Sequence, residues 1–235
     1  MINIFQKVAE FISPRSFSHE FRQKKKTAAI LIAESRDSAD YYVMLVVAIL
    51  IITFGLIENN TAIIIGGMLV SPVLYPILAL GLGAAAGRLD LFLRSLRILI
   101  ASTILILAIS SAVSYVFAPD AYMNYEIETS LSYSVISVLV AFFAGFAGAY
   151  AWASETLHVN LAGIAIAVAL LPPLCVTGIQ LAHNNMEAVQ KSFTLFSINV
   201  GGIFFASFLI FFFFNYREVK GIVEKTVKDE VEENE

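Results

Sequence analysis

Six long runs of apolar residues constrain this chain more than any other feature of its sequence. A helix needs about 20 apolar residues to cross a hydrocarbon core of roughly 30 Å. None of the six runs carries Asp, Glu or Lys in its interior, and the whole chain is 58% hydrophobic and only 14% charged. Because backbone polar groups in lipid must be satisfied within the segment, continuous runs of this length predict helices. The predicted spans are about 40–57, 62–87, 95–117, 131–153, 161–182 and 192–214. The sequence therefore predicts an all-α, polytopic membrane protein and excludes a soluble domain.

The basic residues predict the orientation of these spans, because Lys and Arg of short loops stay on the cytoplasmic side. With both termini in the cytoplasm, 14 of the 15 basic residues lie there, and only Lys191 does not. The loop at 118–130 carries Asp120, Glu126 and Glu128 but no base, as an external loop can. We therefore expect a multi-pass protein of the cell (inner) membrane, with both termini cytoplasmic.

The sequence divides into three parts. Residues 1–39 form a basic N-terminal segment, 40–216 the six-helix membrane domain, and 217–235 an acidic cytoplasmic tail. Apolar residues recur at helical spacing before Ser13-Pro14, which favours an amphipathic helix on the inner leaflet. A solvated basic arm explains the same segment equally well.

Four of the six prolines lie inside predicted spans, in the middle span of each half of the domain. Pro72 and Pro76 fall in the second span, and Pro172 and Pro173 in the fifth. Proline lacks an N–H, so Pro72 is expected to free the carbonyl of Met68, and Pro76 that of Pro72. Two halves of three spans enter the membrane from opposite faces. The pattern therefore predicts a 3+3 inverted repeat with proline-broken second and fifth helices, as in many secondary transporters.

In transporters of this kind, freed carbonyls and half-helix ends form the binding site. The first hypothesis is therefore a transporter or channel for a small ion or solute, with its site between the two broken helices. In an alternative interpretation the prolines only kink the helices, and the nearby hydroxyl groups cap these kinks within each helix. The predicted site residues are Ser71, Pro72, Pro76, Pro172, Pro173, Thr177 and Asn199.

Arg94 and Arg97 lie where the third span begins. They can hold an anionic solute or a lipid phosphate at the inner mouth. They can equally be topology anchors, which is the commoner role of such residues.

Small residues predict close helix packing. Gly83 and Gly87 form a small-xxx-small motif, and further small residues line the fourth and sixth spans, including Gly145, Gly201 and Gly202. Helix faces of this kind can also join protomers, so the small residues are typical of a homo-oligomer as well.

The sequence contains few residues that could bind a metal ion or catalyse a reaction. Glu155 and His158 have the spacing of half a metal site, but two ligands are too few, so no metal is expected. No nucleotide-binding or nucleophile motif occurs, and we expect no enzyme activity, no cofactor and no nucleic-acid partner. The lipid bilayer is the expected partner. The alternative function is a non-transporting membrane scaffold, sensor or lipid-binding protein that uses the basic arm and the acidic tail.

Two stretches carry a family resemblance. They are GGMLVSPVLYPILALGLG from Gly66 to Gly83 and LAGIAIAVALLPPLCVTGI from Leu161 to Ile179. Both resemble a prokaryotic family of polytopic membrane proteins known as an uncharacterised hydrophobic domain, a domain of unknown function. The resemblance covers about 40–215. It implies a prokaryotic membrane protein and no established activity.

Overall fold

The computed structural model describes residues 28–118, 123–132, 134–153 and 159–216, with the side chains of 159–169 excepted. Within these residues the chain forms nine helices and no strand, so the predicted all-α fold is confirmed. The predicted amphipathic helix before Ser13-Pro14 and the acidic tail at 217–235 lie outside the described residues.

Helix α1 is a short helix at 28–34. The following helices are α2 (Ala39–Ile57), α3 (Thr61–Val70), α4 (Leu74–Ala86), α5 (Leu89–Phe117), α6 (Tyr125–Thr129), α7 (Val135–Ala153), α8 (Val159–Ala182) and α9 (Met186–Phe213).

Several of these helices are those of a multi-pass membrane protein. Among the described residues, four helices are long and apolar enough to cross a membrane, namely α2, α5, α7 and α9. The pair α3 and α4 forms a fifth span if its two bent parts are counted together. Helix α8 occupies the fifth predicted run, and its described apolar stretch is the shorter Leu170–Ala182. The helices thus account for four or five of the six predicted spans.

The second span is broken at its first proline. Helix α3 ends at Val70, α4 begins at Leu74, and the two axes differ by 51°. Ser71 has an extended backbone, with φ −73° and ψ 131°, because a residue that precedes proline avoids the helical region. Pro76 lies in the first turn of α4, where no N–H is needed, so it does not interrupt that helix.

The carbonyls expected to be free at this break are not free. The carbonyl of Met68 accepts a hydrogen bond from the Ser71 N–H at 3.3 Å, and that of Pro72 accepts one from the Tyr75 N–H at 3.2 Å. The prediction was wrong because it assumed an i−4 pattern. The chain instead tightens into three-residue turns on both sides of the break.

The prediction of a broken fifth helix is also wrong. Helix α8 runs from Val159 to Ala182 with Pro172 and Pro173 inside it. Proline φ is compatible with a helix, and membrane helices tolerate proline where neighbours surround them. Helix α8 has such neighbours, since it contacts α2, α3, α5, α7 and α9. From Leu170 to Gln180, every described side chain of α8 is buried.

Glycines allow the helices to approach closely, as predicted for several positions. A Cβ at Gly145 of α7 would lie 2.5 Å from Cα of Ile203 on α9, and one at Gly202 would lie 3.1 Å from Cβ of Ala141 on α7. Gly83 packs in the same way against the start of α5, because a Cβ at Gly83 would lie 2.9 Å from the backbone nitrogen of Phe92. Gly87 has a different role, because it ends α4 with a φ of 65°.

Candidate functional site

A cavity of about 620 Å³ lies between α3 and α7, and α8 and α9 form its floor. One end of the cavity is formed by α6 and by the residues that link α6 to α7. We call this end of the helix bundle the α6 end. The described lining residues are Thr61, Ile64, Ile65, Met68, Glu126, Thr129, Ser130, Ser132, Ser134, Ile136, Ser137, Val140, Pro172, Pro173, Leu195 and Asn199.

The floor of the cavity is mostly apolar and carries one amide. The floor is lined near the middle of the helices by Met68, Pro172, Pro173 and Leu195. Asn199, near the middle of α9, also lines it. Asn199 is only 4% exposed. A buried polar side chain on an apolar helix costs free energy unless it is hydrogen-bonded. Asn199 is the one amide side chain among the described lining residues.

Hydroxyl groups are concentrated at the α6 end of the cavity. Thr61, Thr129, Ser130 and Ser137 lie there, with Ser132 and Ser134 between α6 and α7. Most of these side chains donate their hydrogen to the protein itself. Thr129 Oγ1 donates to the carbonyl of Tyr125 at 2.8 Å, Ser130 Oγ donates to the carbonyl of Glu126 at 3.1 Å, and Thr61 Oγ1 donates to the Glu126 carboxylate. A hydroxyl has a single hydrogen, so these oxygens retain only lone pairs for a ligand.

Helix α6 is held at this end by the turn between α2 and α3. The Asn124 Nδ2 donates to the carbonyl of Leu56 at 2.6 Å, and the Glu126 N–H donates to Oδ1 of Asn59 at 3.1 Å. Asn124 also caps α6 by accepting from the Ile127 N–H at 2.9 Å. These contacts, together with the hydrogen bond from Thr61, fix the carboxylate of Glu126 at the α6 end of the cavity, which we call the cavity mouth.

Three of the predicted site residues are brought together by this cavity. Pro172, Pro173 and Asn199 line it, from two different helices. Ser71, Pro72 and Pro76 are not among its lining residues.

The two predicted hydroxyls bond to the protein itself, Ser71 at the break and Thr177 both within its helix and to a neighbouring helix. Ser71 Oγ accepts from the Val73 N–H at 3.3 Å and so supports the break. Thr177 Oγ1 donates to the carbonyl of Pro173 at 2.8 Å and lies 2.9 Å from Ser192 Oγ of α9. Thr177 thus joins α8 to α9 behind the cavity floor.

The two predicted arginines lie at the start of α5, and neither lines the cavity. The guanidinium of Arg97 is 3.5 Å from the Asp37 carboxylate, and its side chain is 73% exposed. Its ion pair joins α5 to the segment before α2. The structure thus places Arg97 at the bundle surface, where a topology anchor would lie.

Sequence reasoning missed the residues of the α6 end. Glu126 was noted only as part of an acidic loop, and Ser130, Ser132, Ser134 and Ser137 were not considered. The available signal was five Ser or Thr residues within nine positions, 129–137, beside a carboxylate and at the start of the fourth apolar run. That density is unusual for a simple connection in so apolar a chain.

The described residues contain no group of three or more His, Cys, Asp or Glu side chains that could hold a metal ion. Glu155 and His158, the half site noted in the sequence, lie outside the described residues.

Comparison with other proteins identifies relatives but no activity. The chain is 29% identical over 174 residues to an uncharacterised protein of Methanocaldococcus jannaschii. The match covers 74% of this chain and 54% of that protein, so the chain spans about half the length of this relative. No solved structure matches the chain.

The family match covers the core of the bundle. A family described as a domain of unknown function, DUF389, matches residues 68–205, which is more than half of the chain. Both proline-containing stretches that carry the resemblance fall in or overlap these residues. The chain therefore belongs to this DUF389 family, a domain of unknown function.

Proposed function

We propose that the protein is a membrane transporter or channel that carries a small ion or solute through the cavity between α3 and α7. The observation that carries the proposal is the cavity itself. It brings a buried amide, Asn199, and a hydroxyl-rich mouth into a bundle of apolar helices. Polar groups at this depth are costly in a membrane protein and mark solute pathways.

The architecture that we propose has six spans, with α8 as the fifth, arranged as a 3+3 inverted repeat. Its support is that proline-containing helices occupy the middle of both halves. The bent pair α3 and α4 lies in the first half, and α8 with Pro172 and Pro173 in the second. From the bent pair α3 lines the cavity, and from the second half α8 lines it, as expected for a site at the interface of two repeats.

Charge supports an orientation with both termini in the cytoplasm of a prokaryotic cell. Arg36, Arg88, Arg94 and Arg97 lie beside the starts of α2 and α5. The α6 end, at the opposite ends of these helices, carries Glu58, Glu126 and Glu128. The positive-inside rule then places the α6 end, and the cavity mouth, on the outer face of the inner membrane. The proposal includes no chemical conversion of the solute.

The test is solute flux into liposomes that contain the purified protein, measured for simple cations, anions and small neutral solutes. Asn199→Leu fills the cavity floor with an apolar side chain, and Ser137→Leu does the same near the mouth. We expect either variant to lower the flux at least tenfold. Ser197→Leu is the matched control, because Ser197 is exposed on the same helix as Asn199 and does not line the cavity.

Equal flux in Asn199→Leu, Ser137→Leu and the unmodified protein would overturn the cavity as the pathway. Absence of flux under every gradient would overturn transport altogether. It would favour the non-transporting scaffold, sensor or lipid-binding alternative, for which deletion of residues 1–26 is the next test.

A further inference from the structure

The solute class can be inferred from the groups at the cavity mouth. We infer that the cavity takes a small monovalent cation, such as an alkali metal ion, and that Glu126 attracts the cation at the α6 end. This inference rests on the proposed function and deepens it.

The charge of the cavity lining favours a cation. Among the described lining residues, Glu126 is the one ionisable side chain, and its carboxylate lies among the hydroxyls of the mouth. A single negative charge beside a low-dielectric wall raises the local concentration of cations and lowers that of anions. One carboxylate balances one positive charge, which favours a monovalent ion over a divalent one.

The hydroxyl groups of the mouth favour a cation as well, because most of their hydrogens are already donated to the protein. Thr61, Thr129 and Ser130 line the cavity and donate their hydroxyl hydrogens to acceptors of the protein, so their oxygens have only lone pairs to offer a ligand. An anion needs donors, whereas an alkali cation needs oxygen lone pairs. The mouth therefore offers ligands of the kind that hard cations prefer.

The charged residues around the mouth also favour a cation. Glu58 and Glu128 are exposed at the same end of the bundle. The one described lysine, Lys191, lies 2.6 Å from Glu187 in an ion pair within α9, so its charge is compensated. The described arginines lie near the opposite ends of the helices. The α6 end thus has a net negative charge, which steers cations toward the mouth.

The test measures the electrostatic potential inside the cavity without requiring flux. Ser137→Cys places a thiol in the lining, and the native Cys175 is 0% exposed, so the new thiol is the reactive one. Its reaction rate is measured with a cationic and an anionic methanethiosulfonate of similar size, each normalised to a free thiol. The ratio of the two rates reports the sign of the potential.

We expect the cationic reagent to react faster, and E126Q to lower the rate ratio about fivefold because one unit charge is removed near the thiol. Gln keeps an oxygen that can accept from Thr61, so the mouth retains its geometry. E128Q removes the same charge two residues away on α6, at an exposed side chain that does not line the cavity. It should leave the ratio within about twofold, because exposed charges are screened by salt.

A ratio that is unchanged in E126Q, or a faster anionic reagent, would overturn the inference. In liposomes, the cation-to-anion permeability ratio from reversal potentials should fall in E126Q and persist in E128Q. Flux that passes through the cavity but carries anions as well as cations would overturn the cation assignment and leave transport intact. Absence of all flux would instead overturn the proposed function and cation transport with it.

Discussion

The contact between α7 and α9 allows a prediction of stability with an internal control. Gly145→Ala adds a Cβ that would lie 2.5 Å from Cα of Ile203, which is 0.9 Å short of the 3.4 Å at which ordinary contact begins. The nearest atom belongs to the backbone and cannot rotate away, so the two helices must separate. Overpacking of this kind costs about 1–3 kcal/mol.

Gly201→Ala is the matched variant, because a Cβ at Gly201 of α9 would meet nothing within 4 Å. Alanine is favoured over glycine in a helix by about 1 kcal/mol, and this gain is the same in both variants. It therefore cancels in their comparison. The free energy of unfolding should be lower for Gly145→Ala than for Gly201→Ala by the full overpacking cost of about 1–3 kcal/mol.

The assay is equilibrium unfolding in mixed micelles with increasing SDS, followed by far-ultraviolet circular dichroism and by tryptophan fluorescence. Size-exclusion chromatography establishes that both variants are monodisperse before unfolding. Equal unfolding free energies for the two alanine variants would refute the close contact of α7 with α9. A lower unfolding free energy for Gly201→Ala than for Gly145→Ala would refute the open space beside Gly201.

Two further changes test local features of the bundle. Pro76→Ala should change the unfolding free energy by less than about 1 kcal/mol, because Pro76 lies in the first turn of α4. Ala79→Pro, in the interior of the same helix, should lower the unfolding free energy by about 3 kcal/mol or more. Similar losses in the two variants would contradict the position of the break. Ser102→Ala should lower the unfolding free energy by about 1–3 kcal/mol, because it leaves the buried Tyr41 hydroxyl without the partner that now lies at 2.8 Å. The double variant with Tyr41→Phe should recover part of that loss. A double variant that is less stable than Ser102→Ala alone would refute this pairing.

The helical class and most of the spans could be predicted from the sequence because the bilayer imposes a length and an apolarity that composition reveals directly. The break at Pro72 was predictable for a similar reason, since proline also restricts Ser71 before it. The continuity of α8 was not predictable. Pro172 and Pro173 have the same local chemistry as Pro72, and only the surrounding helices distinguish the two sites.

The candidate site was predictable only in part. Pro172, Pro173 and Asn199 were identified because interruptions and polar groups stand out in apolar runs. Glu126 and the neighbouring serines were not, because a loop next to a span is polar in any membrane protein. Their importance depends on contacts between residues about 65 positions apart, such as Thr61 with Glu126, which no local pattern contains.

The cavity has a consequence for the biosynthesis of the chain. Its walls come from Thr61 and Met68 early in the sequence and from Leu195 and Asn199 late in it. During translation the site is therefore completed only when α9, the last of the described helices, enters the bundle. A ribosome that stops before α9 releases a product without Asn199 and without the partner of Gly145. The order of synthesis thus delays assembly of the complete cavity until α9 has been made.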